Sequence, residues 1–137
     1  MFAATAEYYD AIYGFKDYAA EAQRLRDIIR AHLSSERLSL LDVACGTGRH
    51  LAHLTGDLDV AGLDLDPAML EVARNRLPGV PFVLGDMVSF QLAQTFDVIT
   101  CLFSSIGYTK TLEAMHQAIA TMARHLAPGG LLVVEPW

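Results

Sequence analysis

The segment Leu41-Asp42-Val43-Ala44-Cys45-Gly46-Thr47-Gly48-Arg49-His50-Leu51 constrains the fold of this chain more than any other. An apolar strand runs into a G-x-G turn and a helix leaves it. Glycines there let the backbone take turn dihedrals that other residues resist. They also let a ligand reach the main chain, where a helix N-terminus presents unpaired N–H groups. A G-x-G alone says little, so its neighbours decide. A dinucleotide site has Gly or Ala three residues after the second glycine, which permits close helix–strand contact and seats the pyrophosphate. Leu51 occupies that position and is too large for the role. Asp42, at the end of the strand, would repel a pyrophosphate but could hold an ammonium. The turn therefore reads as a site for a ligand with a cationic amino-acid end and no phosphates. That disfavours an NAD-dependent oxidoreductase.

Two more acids extend the pattern. Asp64 ends a second strand, Val60-Ala61-Gly62-Leu63-Asp64, where a carboxylate can accept both hydroxyls of a ribose. Asp86, in Gly85-Asp86-Met87, follows a third strand, where it can accept a hydrogen bond from an exocyclic adenine amine. Three acids at the ends of three successive strands thus address amino acid, ribose and base. They lie along the edge of the sheet where open α/β folds bind ligands.

The rest of the chain alternates between helical and strand patterns, the signature of a parallel α/β sheet. An N-terminal arm over 1–16 is rich in aromatics. The first helix is predicted over 17–33, with Tyr18, Ala22, Leu25, Ile29 and Leu33 on one face. Strand one is Leu38–Val43, helix two about Gly48–Leu54, strand two Asp59–Leu63, and helix three Pro67–Leu77 with Asp66 as its N-cap. Strand three is Pro81–Leu84 and strand four Phe96–Leu102. Helix four covers about 111–125, with Leu112, Met115, Ile119, Met122 and Leu126 on the buried stripe. Pro128-Gly129-Gly130 is expected to end that helix, and strand five is Leu131–Glu135.

The chain has 137 residues, enough for one domain, and 53% of them are apolar, enough for a sizeable core. A net charge of −6 with no basic run argues against nucleic acid as a partner. No apolar stretch approaches the ~18 residues of a membrane span. The start lacks the basic and apolar regions of a signal peptide. Cys45 and Cys101 form no CxxC pair and no zinc spacing with histidine, which suits free thiols in a cytoplasmic protein. No metal site is expected. His50 and His53 make a poor metal pair, His116 and His125 are expected on the surface of helix four, Cys45 as a small turn residue and Cys101 in the core.

As a set, Leu41–Gly48, Gly62-Leu63-Asp64, Gly85-Asp86-Met87, Phe96-Asp97-Val98-Ile99 and Leu126-Ala127-Pro128-Gly129-Gly130 resemble the class I S-adenosylmethionine-dependent methyltransferases. Tyr9-Asp10, Lys16–Ala22, Phe103–Tyr108 and Val134–Trp137 look like the dTDP-amino-sugar N,N-dimethyltransferases within that class. The resemblance implies a Rossmann-like α/β fold whose parallel sheet of about five strands runs in the order 3-2-1-4-5, with helices on both faces. Residues 1–35 would form an arm and helix covering the cofactor site, and 36–137 the S-adenosylmethionine-binding core. Tyr9, Asp42, Ala44, Gly46, Gly48, Asp64, Leu65, Met69, Asp86 and Met87 would contact S-adenosyl-L-methionine, with Tyr9 closing over it. Tyr108 would stand near the acceptor amine of a small molecule and is the candidate catalytic residue. Family members usually carry two further antiparallel strands that supply acceptor and homodimer contacts. Since this sequence ends after strand five, the alternative to an active enzyme is a cofactor-binding domain without turnover.

Overall fold

A computed structural model describes residues 3–13, 16–103 and 105–136. Its elements in chain order are α1 (Ala3–Ile12), α2 (Tyr18–His32), β1 (Leu38–Val43), α3 (Arg49–Ala52), β2 (Leu58–Asp64), α4 (Pro67–Arg76), β3 (Phe82–Leu84), β4 (Phe96–Cys101), α5 (Leu112–Arg124) and β5 (Leu126–Val134). A 3-10 turn, Ser105–Thr109, separates β4 from α5. The five strands form one sheet in the order β3-β2-β1-β4-β5, all parallel. This is the expected topology.

A parallel sheet is buried on both faces, so alternate residues of each strand enter opposite cores. Leu38 and Leu40 pack with Leu25 and Ile29 of α2, Leu51 of α3 and Leu70 of α4. Leu41 and Val43 point the other way, onto Ala118 and Met122 of α5 with Phe90 and Ile106. Three of the helices, α2, α4 and α5, start where a side chain satisfies one of their first amides. Asp17 accepts from the Ala20 amide, Asp66 from Ala68 and Thr111 from Ala114.

Four expectations need correction. Part of the arm is helical: α1 spans Ala3–Ile12 and sets Ala6 against Ala68 and Met69 of α4. Phe2, Phe15 and Trp137 lie outside the described residues. In α5 the buried face is Ala118, Thr121 and Met122, whereas Leu112 is 65% and Ile119 36% exposed. Periodicity gave the helix but not its rotation. The small Ala118 allows close approach to the sheet, and the Thr121 hydroxyl donates to the Val88 carbonyl at 2.6 Å. His125 is buried rather than on the surface. Its Nδ1 lies 2.7 Å from the Thr121 carbonyl and its Nε2 accepts from the Leu92 amide at 3.0 Å, so both ring nitrogens are satisfied inside. Finally, Pro128-Gly129-Gly130 does not end the helix. α5 stops at Arg124, and the three residues form an irregularity within β5 where the register to β4 shifts between Phe96 and Val98. Gly129 takes φ +77 there, and a Cβ on Gly130 would stand 2.9 Å from the Ala127 carbonyl oxygen.

Gly62, in the middle of β2, is set by packing. A Cβ there would meet Cys45 Sγ and the Phe82 ring at 2.7 Å. Gly62→Ala should therefore lower stability by about 1–3 kcal/mol through overpacking, read as a lower denaturant midpoint at unchanged slope. Among the described residues, no helix is long and apolar enough to cross a membrane.

Candidate functional site

The chain between β1 and α3 is bent by three residues in the left-handed region: Ala44 at φ +61, Gly46 at +58 and Gly48 at +82. Three amides of this turn are held. The Cys45 amide donates to the Leu63 carbonyl at 3.0 Å, the Gly46 amide to Asp64 Oδ2 at 2.8 Å and the Gly48 amide to the Cys45 carbonyl at 3.1 Å. The two glycines do different work. Gly46 faces open space, where a side chain would intrude on a ligand. Gly48 packs against α4, and a Cβ there would touch that of Ala73 at 3.4 Å.

Above the C-terminal ends of β1, β2, β3 and β4 lies a cavity of about 610 Å³. Of the residues singled out in the sequence, it is lined by Ala44, Gly46, Asp64, Leu65, Met69, Asp86, Met87 and Tyr108. Asp42 and Gly48 do not line it. Asp42 borders a small adjoining pocket of about 30 Å³ that shares Ala44, Gly46, Phe103 and Ser105 with the cavity. Gly48 lines neither, so the structure gives it a packing role. Tyr9 lies within α1, but its side chain is outside the described residues. Sequence reasoning did not select Tyr13, Asp66, Phe103, Ser105 and Thr109, which also line the cavity. Asp66 was read as a helix cap, which it also is. The Tyr13 and Phe103 rings meet edge to face at 5.0 Å, and Lys16 Nζ sits 3.5 Å over the Phe103 ring.

The acids differ in environment. Asp42 is almost wholly buried and accepts from the Thr100 hydroxyl at 2.8 Å. Burial raises its carboxyl to about 7 against the Thr100 hydrogen bond, and the nearby Asp64 charge adds to the rise. Asp64, partly buried, is also raised by burial, opposed by the amides of Asp66 and Gly46 that it accepts. Asp86 is exposed and accepts from the Val88 amide at 2.9 Å, a local turn that aims its carboxylate from the loop after β3. The chemistry is graded, from an enclosed acid at the turn to a solvated acid at the far end.

Neither thiol is activated. Burial drives Cys45 well above the ordinary thiol range and pushes Cys101 up to about 12. His50 stacks edge-on to Tyr18 at 4.8 Å and lies 3.4 Å from the Glu21 carboxylate, and burial lowers its pKa. No group of three or more His, Cys, Asp or Glu gathers for a metal among the described residues.

With this geometry in place, comparison with known proteins is decisive. Residues 40–130 match the family described as a methyltransferase domain. The chain belongs to the S-adenosylmethionine-dependent methyltransferases. A relative of this methyltransferase chain, the dTDP-3-amino-3,4,6-trideoxy-alpha-D-glucopyranose N,N-dimethyltransferase of Streptomyces venezuelae, is 50% identical over 135 residues, covering 96% of this chain and 56% of the relative. The dTDP-4-amino-2,3,4,6-tetradeoxy-D-glucose N,N-dimethyltransferase of Saccharopolyspora spinosa is 47% identical, covering 96% and 54%. The crystal structure of DesVI from Streptomyces venezuelae superposes at a TM-score of 0.91 with 48% identity, over 97% of this chain and 57% of that one. CalS10, an amino pentose methyltransferase of Micromonospora echinaspora solved with S-adenosylmethionine bound, superposes at 0.89 with 48% identity, over 94% and 56%. The methyltransferase chain thus spans about half the length of the relatives it matches.

Proposed function

We propose that this chain binds S-adenosylmethionine in the cavity above the sheet and takes part in methylating an amine of a nucleotide-linked amino sugar. The observation that carries the reading is the convergence of Gly46, Asp64 and Asp86 on one cavity, with the Asp42 pocket adjoining it. When bound, the cofactor supplies an electrophilic sulfonium methyl. Asp42 takes the ammonium of its methionine part, next to the backbone at Ala44 and Gly46. Asp64 accepts the ribose hydroxyls, with Leu65 and Met69 beside it. Asp86 and the Met87 backbone take the adenine edge. The family resemblance assigns Tyr9 to the same ligand.

The protein's task is then alignment. Holding an amine in line with the methyl and the sulfur can supply ~7–11 kcal/mol of barrier reduction, so a strong base is not required. The attacking amine must be unprotonated. The Tyr108 phenol, which lines the cavity and is 75% exposed, can accept a hydrogen bond from it and pass its proton towards water. A partner nucleic acid fits poorly with a net charge of −6, and two free buried thiols suit a cytoplasmic protein. A homodimer would follow the family resemblance.

The second reading is a cofactor-binding domain without turnover, favoured by the exposure of Tyr108 at the acceptor end of the cavity. Incubation with S-adenosylmethionine and a panel of amino sugars separates the two. Release of S-adenosylhomocysteine that depends on the sugar supports transfer. Calorimetric binding with no release supports the second reading, and no binding sinks both.

A further inference from the structure

The turn that faces the cofactor is held from outside as well as from within. Its central residue, Thr47, is buried between the two left-handed glycines. The Thr47 hydroxyl donates to Asp10 Oδ1 at 2.5 Å, and Arg76 donates to the Thr47 carbonyl at 2.6 Å. Arg76 also donates to Asp10 Oδ2 at 2.8 Å, and Arg49 to the Asp10 carbonyl at 3.1 Å. Asp10 therefore sits where α1, the glycine turn, α3 and the end of α4 meet. Both of its oxygens are occupied and its side chain is largely buried.

The arrangement has a mechanical consequence. Gly46 and Gly48 give the turn its freedom, and rotation about either would swing the backbone lining the cavity. Fixing the Thr47 side chain and its carbonyl together leaves little room for that rotation. The same carboxylate anchors α1, which among the described residues also sets Ala6 against Ala68 and Met69 of α4. Charge-assisted hydrogen bonds in a partly desolvated setting are strong enough to couple two such elements.

We propose that Asp10 is a positioning residue that latches α1 to the Gly46–Gly48 turn, so that docking of the N-terminal helix and the cofactor-ready shape of the turn form one cooperative unit. Asp10 lines neither the cavity nor its adjoining pocket, so it acts on the ligand through Thr47 and the backbone. The proposal rests on the reading of the cavity as the S-adenosylmethionine site, but half of its test does not.

The test uses the parent chain, Asp10→Asn, Thr47→Val, which keeps the side-chain shape and removes the donor, and Thr47→Ser, which keeps the hydroxyl. Hydrogen exchange without ligand should show both Asp10→Asn and Thr47→Val accelerating exchange in 46–52 and in 3–12, with β1 and β4 unchanged. Calorimetry with S-adenosylhomocysteine should show both variants weakened by roughly tenfold, the loss of one hydrogen bond to a charged group, and Thr47→Ser close to the parent. A residue that only stabilised the fold would lower the melting temperature and leave the affinity of the folded protein unchanged. Exchange that rises in α1 alone overturns the latch, as does unchanged affinity in Asp10→Asn. If the parent binds no S-adenosylhomocysteine, the cofactor reading fails while the exchange data still decide whether α1 and the turn move together.

Discussion

Asp64→Ala should weaken binding of S-adenosylmethionine by roughly a hundredfold, equivalent to about 3 kcal/mol. The proposed ribose contact is a charge-assisted hydrogen-bond pair, worth about 1.5–3 kcal/mol. A further loss comes from the turn. Asp64 Oδ2 accepts the Gly46 amide and Oδ1 accepts the Asp66 amide, so removing the carboxylate leaves two donors unpaired beside the cavity. Asp64→Asn keeps one acceptor oxygen and should lie between the parent and the alanine variant. Calorimetric titration with S-adenosylmethionine measures both. Equal affinity in Asp64→Ala and the parent would remove the ribose assignment.

The second large effect is on pH dependence. The Asp42 carboxyl, raised by burial from 3.8 to about 7, keeps its proton in the folded, ligand-free protein over most of the acidic range. It contributes stability that is full below the unfolded value of 3.8 and is lost as the pH rises to 7, because over that window the unfolded carboxyl gives up its proton while the folded one must keep it. Asp42→Asn should therefore melt higher than the parent at pH 8, with a smaller gap at pH 5. An ammonium in the adjoining pocket needs the charged carboxylate. Binding below pH 7 must expel a proton, and affinity should fall by up to about tenfold per pH unit between 7 and 5.

Several other groups face Asp42, and their titrations are separable. The thiols of Cys45 and Cys101 are raised out of this range. Tyr18 is raised and His50 is lowered by burial. Arg49 donates to the Asp10 carbonyl and lies over the Tyr18 ring. Asp64, also raised, acts in the same direction as Asp42. Asp42→Asn should thus reduce the slope and leave the share due to Asp64. A parent profile flat between pH 5 and 7, or an undiminished slope in the variant, would refute the role given to Asp42.

Strand and helix identity was legible because local chemistry writes it. The mostly apolar run Leu38–Val43, the cap-and-proline start at Asp66-Pro67 and the glycine turn at Gly46–Gly48 each depend on neighbours within a few residues. Reading failed where a distant contact overrode a local pattern. Pro128-Gly129-Gly130 has the composition of a helix stop, but its place in β5 follows from pairing with β4. His125 was read as a surface residue on a helix, and it is buried by Thr121, Phe90 and the Leu92 amide. Asp10 stood out only within the Tyr9-Asp10 resemblance, which gave it no role, since its partners lie 37 and 66 residues away.

By itself the sequence determined that three acids would follow three successive strands of a parallel sheet, since the G-x-G turn and the alternation of strands and helices follow from short-range pattern; the order of the strands in the sheet came from the family resemblance. Only the tertiary structure decided which of those acids meets the ligand cavity and which is enclosed beside it. That difference depends on depth: Asp42 and Asp64 end adjacent strands, but packing of Thr100 and the surrounding core strips water from Asp42 and leaves Asp64 on the cavity wall. Desolvation is a property of everything packed around a group, so no stretch of chain encodes it alone.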